Sequence, residues 1–404
     1  MDQAAVDTAS WINTPNHAEW PDDSEQEKNP YIRWRKMLWS WHKAMERGWE
    51  DQEFIKLVSE IDSAVDDTSG KGFEITPVGV WENASSAIPD SVLWKDETQN
   101  VGGSHKARHL MGLLLHLAVD AVETERRLAI SSCGNAAIGA ATLAKAVGRP
   151  IDVFIPTWAS STIVNKLEQL EAQIHVCERK KGYLGDPCIE AFHKAVDGGA
   201  LAFGVQATEN AMTLDGGRTI GWELAEALKE KPVEQILIQI GGGALLTSCA
   251  IGLFEAVKYN QIEKVPSIWA VQGEGCAPFN RAWEKIPKGE SLKDTIKYCY
   301  EHRSNLMEPW HNPTGLATGI LDDITYDWMG VARSLLMSGG GSVVATEEQI
   351  KFASELVPSF GINTEPTGAA SLAGAIALIE NGKISHESKT AVLLTGVDRS
   401  GSKT

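Results

Sequence analysis

The sequence predicts an α/β protein of two lobes, each with a mostly parallel, twisted sheet flanked by helices. Short apolar segments alternate with helical segments from about residue 126 onward, a pattern typical of parallel strands joined by crossover helices. Glycine-bearing loops stand at several junctions between these segments. The chain has 404 residues, 43% of them hydrophobic, which is enough to build two lobes around substantial cores.

The amino-terminal region is rich in tryptophan. We expect residues 1–30, which are polar and acidic, to form an irregular arm. A helix is predicted to begin near Tyr31, because Trp34, Leu38, Trp41 and Met45 recur at the spacing of one helical face. Eight of the 14 tryptophans lie before residue 95. An aromatic recognition surface is one interpretation, but packing on the main body or on a second subunit is favoured.

Strands and helices alternate along the rest of the chain, with no internal repeat. The predicted strands are Leu128–Ser131, Ile151–Ile155, Ile174–Cys177, Gln235–Ile240, Ser267–Gln272 and Ala391–Leu394. The predicted helices are an alanine-rich segment ending at Val147, then Ser161–Glu171, Pro187–Val196, Gly216–Lys229, Glu347–Leu356 and Ala369–Glu380.

Composition limits the classes of partner. The formal net charge of −17 argues against a nucleic-acid partner, which needs a basic face, and an acidic surface does little for anionic membranes. The longest apolar stretches are too short to span a bilayer, so no membrane partner is predicted. The six cysteines are Cys133, Cys177, Cys188, Cys249, Cys276 and Cys299. Their spacing indicates neither a disulfide framework nor a zinc site, and free thiols without a signal-peptide pattern favour the cytoplasm. No metal site is predicted, and the adjacent Asp322 and Asp323 are interpreted as solvated or helix-capping carboxylates.

Gly241, Gly242 and Gly243 follow a predicted strand and precede a predicted helix. Successive small residues let main-chain N–H groups converge on an anion, and the helix dipole adds to this attraction. The segment has neither the GK[ST] ending of a P-loop nor GxGxxG spacing, so a single phosphate group is a better candidate than a nucleotide. A tight turn without a ligand is the alternative.

Two further segments are candidates for chemistry. Ser131–Asn135 joins a predicted strand to a predicted helix, where N–H groups, two hydroxyls and an amide could hold a carboxylate. An ordinary helix cap by Ser132 or Asn135 is the alternative. Lys106 begins a long apolar helix, at the end where the dipole disfavours a cation. A neutral or covalently modified amine explains that placement, and a solvated surface lysine is the alternative.

Together these segments resemble the fold-type II pyridoxal-phosphate enzymes of the tryptophan synthase β-like superfamily, to which threonine and serine dehydratases and threonine synthase belong. Five motifs carry the resemblance: NVGGSHK at 100–106, SCGNAA at 132–137, GGGAL at 241–245, EPTGAA at 365–370 and LTG at 394–396. They occur in the family's order and spacing over roughly residues 75 to 400. Their joint occurrence outweighs the alternative explanation of each segment alone.

The resemblance implies a domain organisation. Residues 31–127 and 208–404 would form a large cofactor-binding domain, and residues 128–207 a small domain that binds the substrate carboxylate. The cofactor would lie in the cleft between these two lobes, and residues 1–30 would remain an arm. The resemblance further implies a small amino-acid substrate and a homodimer.

The resemblance also implies roles for individual residues. Lys106 would carry pyridoxal phosphate as a Schiff base and, once displaced by the substrate amine, act as the base at Cα. The cofactor would be bound by Gly241, Gly242, Gly243, Ala244 and Leu245 at its phosphate, by Asn135 at its ring hydroxyl and by Thr395 at its pyridine nitrogen. The substrate carboxylate would be bound by Ser132, Gly134, Asn135 and Ala136.

The residues around Lys106 resemble several branches of the family, and these branches catalyse different reactions. A neutral hydroxyl at the pyridine nitrogen favours loss of a β or γ substituent over transamination. Lys106, Ala107 and Arg108 resemble the lysine segment of dehydratases, whereas Asn100 is shared by threonine and cysteine synthases and His105 by the tryptophan synthase β chain. We predict a lyase that eliminates a β substituent, hydroxyl being favoured, from a small amino acid to give a 2-oxo acid and ammonia.

Two alternatives stay open. One is a β- or γ-replacement synthase of the threonine synthase or cysteine synthase type, in which a second nucleophile adds after the leaving group departs. The other is a non-catalytic relative that binds pyridoxal phosphate, which the retained Lys106 disfavours.

Overall fold

The computed structural model describes residues 17–22, 26–179 and 186–399. Most of the predicted amino-terminal arm therefore lies outside the described residues. The strands found are β1 (Val78–Glu82), β2 (Ser91–Asp96), β3 (Leu128–Ser131), β4 (Ile151–Pro156), β5 (Gln173–Cys177), β6 (Leu201–Ala202), β7 (Gln235–Gln239), β8 (Ser267–Gly273), β9 (Gly341–Ala345) and β10 (Thr390–Leu394).

The helices form layers around the strands. They are α1 (Pro30–Arg33), α2 (Trp39–Glu46), α3 (Asp51–Ser69), α4 (Lys106–Val119), α5 (Asn135–Ala146), α6 (Ser161–Gln169), α7 (Pro187–Asp197), α8 (Thr213–Glu230), α9 (Ala244–Lys258), α10 (Pro278–Lys285), α11 (Leu292–Glu301), α12 (Arg303–Leu306), α13 (Trp328–Ser338), α14 (Glu347–Ser359) and α15 (Pro366–Glu380). Short 3-10 segments occur at Arg35–Met37, Glu97–Gln99, Val101–Gly103 and Thr318–Ile320. Among the described residues, no helix has the length and apolar character that crossing a membrane requires.

The strands form two sheets. One has six strands in the order β1-β2-β10-β7-β8-β9, and the other has four in the order β5-β4-β3-β6. All neighbours are parallel except β1 and β2, which are antiparallel. The predicted α/β class with mostly parallel sheets and flanking helices is thus confirmed. The assignment of these sheets to separate domains with the boundaries given above stays a proposal.

Three neighbouring strands of the six-stranded sheet end at one edge. Because β2, β10 and β7 are parallel, Leu394 lies opposite Asp96 and Val392 opposite Leu237. The lysine loop (residues 97–105) follows β2, the C-terminal loop (residues 395–399) follows β10, and the glycine loop (residues 240–243) follows β7. The β3 loop (residues 132–134) comes from the other sheet. Ligand sites of open parallel sheets form at this kind of edge.

Helix α4, which begins with Lys106, packs between α5 and α8. A Cβ atom added to Gly112 of α4 would lie 2.7 Å from the Cα of Gly216 in α8, and one added to Gly216 would lie 2.8 Å from the main-chain nitrogen of Gly112. Both distances are far below van der Waals contact. The two backbones approach this closely because neither residue has a side chain, and this contact fixes the position of α4.

The single helix predicted from the tryptophan spacing is wrong. The segment divides into α1, a 3-10 turn and α2, with Leu38 extended between them (φ −76°, ψ 135°). The carboxylate of Asp215 in α8 accepts the N–H groups of the first two residues of α2, both at 3.1 Å. Such a cap starts a new helix at Trp39. The break therefore depends on a residue more than 170 positions away.

The buried tryptophans near the amino terminus pack on the main body. The ring of Trp34 lies 6.2 Å from that of Trp222 in α8, and the guanidinium of Arg218 lies 4.0 Å above the ring of Trp39. Trp34 and Trp39 therefore pack on the main body, one of the two packing arrangements favoured over an aromatic recognition surface. All six cysteines are free.

Candidate active site

The lysine loop is held in place by its own polar groups. The side chain of Asn100 accepts the N–H of Val101 at 2.8 Å and donates to the carbonyl oxygen of Ser104 at 3.2 Å. Gly102 and Gly103 adopt positive φ angles of 64° and 68°, a conformation that favours glycine. The chain thereby turns sharply before α4, and Lys106 becomes the first residue of that helix.

The amine of Lys106 lies in an environment that favours its neutral form. Lys106 is half-buried, and burial lowers its pKa, although the carboxylates of Asp322, Glu365 and Asp327 act in the opposite direction. The position at the start of α4 adds the unfavourable end of the helix dipole. A neutral lysine amine is the nucleophilic form that can react with a carbonyl group.

The glycine loop presents main-chain donors at the start of α9. Gly243 has a φ of 99° and precedes the helix without a side-chain cap, so N–H groups of the first turn stay available. The carboxylate of Asp322 lies against the loop: its Oδ2 fills the space where a Cβ of Gly241 would lie, and the N–H of Gly242 lowers its pKa. A carboxylate next to these N–H groups indicates that the geometry of the loop suits an anion.

Asp322 corrects the interpretation made from the sequence. It neither caps a helix nor lies in solvent, but is half-buried against the glycine loop and interacts electrostatically with Lys106. Burial raises the pKa of Asp322 to about 6. The sequence carried no signal for this contact, because Asp322 is about 80 positions from the loop it meets.

A second carboxyl group lies beside the glycine loop. Asp327 is buried, and its side chain accepts the N–H groups of Ala207 and Thr208 at 3.2 and 3.1 Å. Its main-chain N–H donates to the carbonyl oxygen of Gly242 at 2.7 Å. Burial raises the pKa of Asp327 to about 7 despite these hydrogen bonds.

The hydroxyl of Thr395 lies among uncharged groups. It accepts a hydrogen bond from the amide of Gln239, which ends β7, at 2.6 Å. The carbonyl oxygen of Thr395 accepts the N–H of His105 at 3.4 Å. Burial lowers the pKa of His105 well below its usual range, so that imidazole is neutral near pH 7. The groups hydrogen-bonded to Thr395 therefore carry no charge.

The β3 loop leaves the start of α5 open. The N–H of Gly134 donates weakly to the hydroxyl of Ser132 at 3.4 Å, and no side chain caps the described start of α5. Neither Ser132 nor Asn135 caps this helix through its side chain, so the alternative interpretation of the segment as an ordinary helix cap is wrong. Ala136 lies in the first turn of α5.

Asn135 joins the β3 loop to the other loops. Its amide nitrogen donates to the carboxylate of Glu365 at 2.8 Å, and its amide oxygen accepts a hydrogen bond from Arg399. Arg399 also donates to the carbonyl oxygen of Gly102 in the lysine loop. Sequence reasoning identified the motif containing Glu365 without a role for that residue, and it missed Arg399 altogether.

The structure brings the predicted segments together. Ser104 pairs with Gly396 as an isolated bridge, and the N–H of Val397 donates to the carbonyl oxygen of Gly103 at 2.9 Å. These contacts join the lysine loop to the C-terminal loop. Gln239, next to the glycine loop, donates to the hydroxyl of Thr395, and Asp322, which lies against that loop, interacts electrostatically with Lys106. Asn135 joins the β3 loop to them through its hydrogen bonds to Glu365 and Arg399. For Ser132, Gly134 and Ala136, the connection is their place beside Asn135 at the start of α5.

Comparison with known proteins identifies the family. Residues 71–396 match the family model described as pyridoxal-phosphate dependent enzyme. The chain belongs to this family. It is therefore a pyridoxal-phosphate-dependent enzyme, and pyridoxal phosphate is its cofactor.

Relatives within the pyridoxal-phosphate family include threonine synthases and an ammonia-lyase. The chain is 25% identical to threonine synthase of Mycobacterium bovis over 323 residues, 80% of each chain. It is 26% identical to threonine synthase of Methanocaldococcus jannaschii over 188 residues, but that match spans only 42% of the relative. It is also 28% identical to L-threonine ammonia-lyase of Thermotoga maritima over 217 residues, 52% of this chain and 50% of the relative.

Solved structures share the fold of this pyridoxal-phosphate enzyme. The processed form of threonine deaminase isoform 2 from Solanum lycopersicum superposes with a TM-score of 0.64 at 18% identity, covering 87% of this chain and 86% of that chain. Diaminopropionate ammonia lyase from Escherichia coli gives a TM-score of 0.62 at 15% identity, covering 96% and 95%. At these identities the likeness shows the fold alone.

The residues at the site fit pyridoxal phosphate. The cofactor needs an amine for its aldehyde, and Lys106 supplies one whose pKa is lowered. It needs donors for its phosphate, and the start of α9 has no side-chain cap and lies beside the carboxylate of Asp322, a comparable anion. A neutral hydroxyl, that of Thr395, ends the strand next to the glycine loop. The chemistry of these donors matches the group that the family requires.

A buried charge network lies beneath the lysine loop. Lys95, Glu97, Arg108 and Glu223 have fully buried side chains, and their two cations and two anions balance. Burial alone would raise the pKa of Glu97, but Arg108 and Lys95 outweigh it and hold that pKa below its usual value. The network joins β2, α4 and α8. It therefore anchors Arg108, two residues after Lys106.

Proposed function

We propose that the protein is a pyridoxal-phosphate-dependent lyase that eliminates a β substituent, preferably hydroxyl, from a small amino acid. The products would be a 2-oxo acid and ammonia. The uncharged surroundings of Thr395 carry this proposal, because its hydroxyl is hydrogen-bonded to the amide of Gln239 and to no carboxylate. A pyridine nitrogen beside a neutral hydroxyl is not held protonated, which favours expulsion of a leaving group over transamination.

Each loop contributes one part of the mechanism. Pyridoxal phosphate, when bound, takes up the electron pair left at the substrate's α carbon. N–H groups of residues 241–245 would hold its phosphate, and the open start of α5, with Ser132, Gly134, Asn135 and Ala136, would hold the substrate carboxylate. The neutral amine of Lys106 would remove the α proton, as its lowered pKa allows.

Asp322 is our candidate for the acid that assists the leaving group. Its carboxyl group lies against the glycine loop and interacts with Lys106, and its pKa of about 6 keeps a proton available nearer to neutrality than an exposed aspartate does. A phosphate bound at the same loop would raise that pKa further by repulsion between like charges. The carboxyl proton would pass to the departing hydroxyl, which leaves as water. The enamine released then hydrolyses to the 2-oxo acid and ammonia.

A replacement synthase is the second candidate. The threonine synthase of Mycobacterium bovis matches this chain over 80% of its length, more than the ammonia-lyase of Thermotoga maritima does. A synthase would use the same Lys106 and the same glycine loop but would add a second nucleophile before product release. The two candidates therefore differ in whether a co-substrate is needed.

The test is an assay without co-substrate. The purified protein, supplied with pyridoxal phosphate, is incubated with serine, threonine or 3-hydroxyaspartate, and ammonia and 2-oxo acid are measured. We expect both products in equal amounts from at least one of the three, and none from a Lys106→Ala variant. Formation of a new amino acid only after addition of a thiol, a phosphate ester or indole, without release of ammonia, would replace the lyase by the synthase.

Two further expectations belong to this proposal. A cytoplasmic homodimer is predicted from the family resemblance and from the cysteine usage. Sedimentation or light scattering of the purified protein would show twice the mass of one 43.8 kDa chain. A monomer at micromolar concentration would contradict the dimer without affecting the proposed reaction.

A further inference from the structure

The amide of Asn135 has one hydrogen-bond orientation that its neighbours allow. An asparagine amide presents a donor at one end and an acceptor at the other, and the two ends have nearly the same shape. Packing alone does not choose between them. The choice depends on whether the surrounding groups can donate or accept.

Arg399 fixes the acceptor end. A guanidinium has donors only, and Arg399 donates to the amide oxygen of Asn135 and to the carbonyl oxygen of Gly102. Two donors of one planar group thus hold the lysine loop and the start of α5 at a set separation. Turning the amide of Asn135 over would place its NH2 group against this guanidinium, donor against donor.

Glu365 fixes the donor end. Its carboxylate accepts from the amide nitrogen of Asn135 at 2.8 Å, and its own N–H donates to the carbonyl oxygen of Gly396 at 3.0 Å. An ionised carboxylate accepts only, so it requires the same amide orientation as Arg399 does. The charges of Glu365 and Arg399 attract each other across Asn135. Both neighbours therefore select one orientation.

The selected orientation leaves one donor unused. The amide nitrogen of Asn135 has two hydrogens, and the second finds no acceptor in the part of the chain that the structure describes. Glu365 is also one of the three carboxylates that interact with Lys106, so this donor lies in the electrostatic surroundings of the reactive amine.

We propose that Arg399 and Glu365 are positioning residues that lock the amide of Asn135 so that an N–H, and not a carbonyl, faces the ring hydroxyl of the cofactor. This extends the role proposed for Asn135 and does not depend on which reaction follows. A donor stabilises the ionised form of the hydroxyl, whereas a carbonyl stabilises its protonated form. The lock therefore sets the balance between the two forms of bound cofactor, which absorb at different wavelengths.

The test is the absorbance of the bound cofactor without substrate. In the holoenzyme we expect the long-wavelength band of the ionised ring hydroxyl to dominate. An Arg399→Met variant removes one of the two groups that select the amide orientation, and the ratio of the long- to the short-wavelength band should fall about fivefold, the effect of one hydrogen bond on an equilibrium. Arg399→Lys should recover part of the ratio, because lysine can donate to Asn135 but cannot hold Gly102 in the same planar fork.

Arg126→Met is the matched control. Arg126 is exposed, donates to the carbonyl oxygen of Gly199 at 2.9 Å and lies before β3, away from the carboxyl ends of the strands. It should leave the band ratio unchanged. A wild-type ratio in Arg399→Met with full cofactor content would overturn the proposal. Lack of elimination activity in the wild type would instead contradict the proposed reaction. The band ratio could still be measured, because that measurement uses no substrate.

Two other variants decide the question if Arg399→Met does not fold or retain cofactor. Glu365→Gln replaces the carboxylate with an amide that can either donate to or accept from Asn135, so it no longer selects one orientation. This variant should also lower the band ratio. A Cβ added to Gly396 would overlap the carboxylate of Glu365 and lie 3.0 Å from the amide nitrogen of Asn135, so Gly396→Ala should also lower it. Unchanged ratios in both would refute the lock.

Discussion

At the scale of single residues, burial is the main influence on protonation in this site. It lowers the pKa of Lys106 and raises the pKa values of Asp322 and Asp327 to about 6 and about 7. Nearby carboxylates oppose the shift of Lys106 without cancelling it, and hydrogen bonds likewise oppose the shift of Asp327, whereas neighbouring acidic groups add to the shifts of both aspartates. An amine and two carboxyl groups therefore have their pKa values moved towards neutrality, the arrangement that proton transfer between them requires.

Lys106→Ala should abolish the visible absorbance of the bound cofactor. Only a primary amine at this position can form the Schiff base with the cofactor's aldehyde, and alanine has none. Absorbance of the dialysed protein is the measurement. Lys145→Ala, a change at a surface lysine that bonds to Gln169 and Glu171, should retain the absorbance. A Lys106→Ala protein with the wild-type spectrum would mean that another lysine carries the cofactor.

Asp327 should make stability fall as pH rises. Its folded pKa of about 7 lies above the usual value of 3.8, so the carboxyl group favours folding while it is protonated and opposes folding once ionised. The loss should begin near pH 4 and be complete above about pH 7, and on linkage grounds it amounts to the order of a few kcal/mol.

Asp327→Asn removes this titration. Urea unfolding at several pH values from about 4 to about 8 should show the wild type losing more unfolding free energy than the variant, because the amide does not ionise. Parallel curves for the two proteins would show that Asp327 is ionised in the folded state throughout.

At the scale of elements, Lys106, the proposed catalytic lysine, owes its place to contact between helices. Helix α4 is held against α8 at Gly112 and Gly216, where the backbones touch, and against α5, where a Cβ added to Gly139 would lie 3.5 Å from the nitrogen of Ala107. Helix α4 is apolar around most of its circumference and almost wholly buried. Its first residue therefore cannot shift without movement of the core.

Gly216→Ala tests this contact. The added methyl group would overlap the backbone of α4, which cannot move aside as a flexible side chain can. We expect a loss of about 1–3 kcal/mol in unfolding free energy, the usual cost of overpacking, together with weaker cofactor binding. Gly198→Ala is the control, since Gly198 is exposed and has a φ of −77° that alanine accepts. Equal stability of the two variants would refute the close approach.

At the scale of the whole molecule, distant segments are joined by buried charges. Lys95 lies near the C-terminal end of β2, Arg108 lies in α4 and Glu223 lies in α8. The side chains of all three are fully buried. Burying a charge network costs free energy of desolvation. Removing one partner costs more, because the remaining charge is then buried with neither a counter-charge nor water around it. It therefore makes one arrangement of these three elements strongly preferred.

Glu223→Gln should destabilise the protein by about 3 kcal/mol, because it leaves two buried cations with one carboxylate. Adding Lys95→Met restores the balance of charge, so the double variant should lose less than the sum of the two single losses. Urea unfolding of the four proteins measures this coupling. Additive losses would mean that the buried charges act independently.

The sequence by itself determined the fold class and the cofactor. Strand-helix alternation predicted the parallel sheets, and five short motifs at the ends of strands and the starts of helices predicted the family to which the chain belongs. These features are local, because a glycine turn, a helix start and an apolar strand each depend on neighbouring residues. Most strand and helix bounds were predictable to within a few residues for the same reason.

Only the tertiary structure decided which distant side chains meet. The break before α2 comes from Asp215, and the contact of Asp322 with the glycine loop and of Arg399 with Asn135 joins residues 80 and 264 positions apart. No periodicity or spacing records such pairs, since they depend on the packing of α4, α8 and the two sheets. Lys106 was identifiable from its motif, but the burial that lowers its pKa and the carboxylates that oppose this shift come from segments brought to it by the fold.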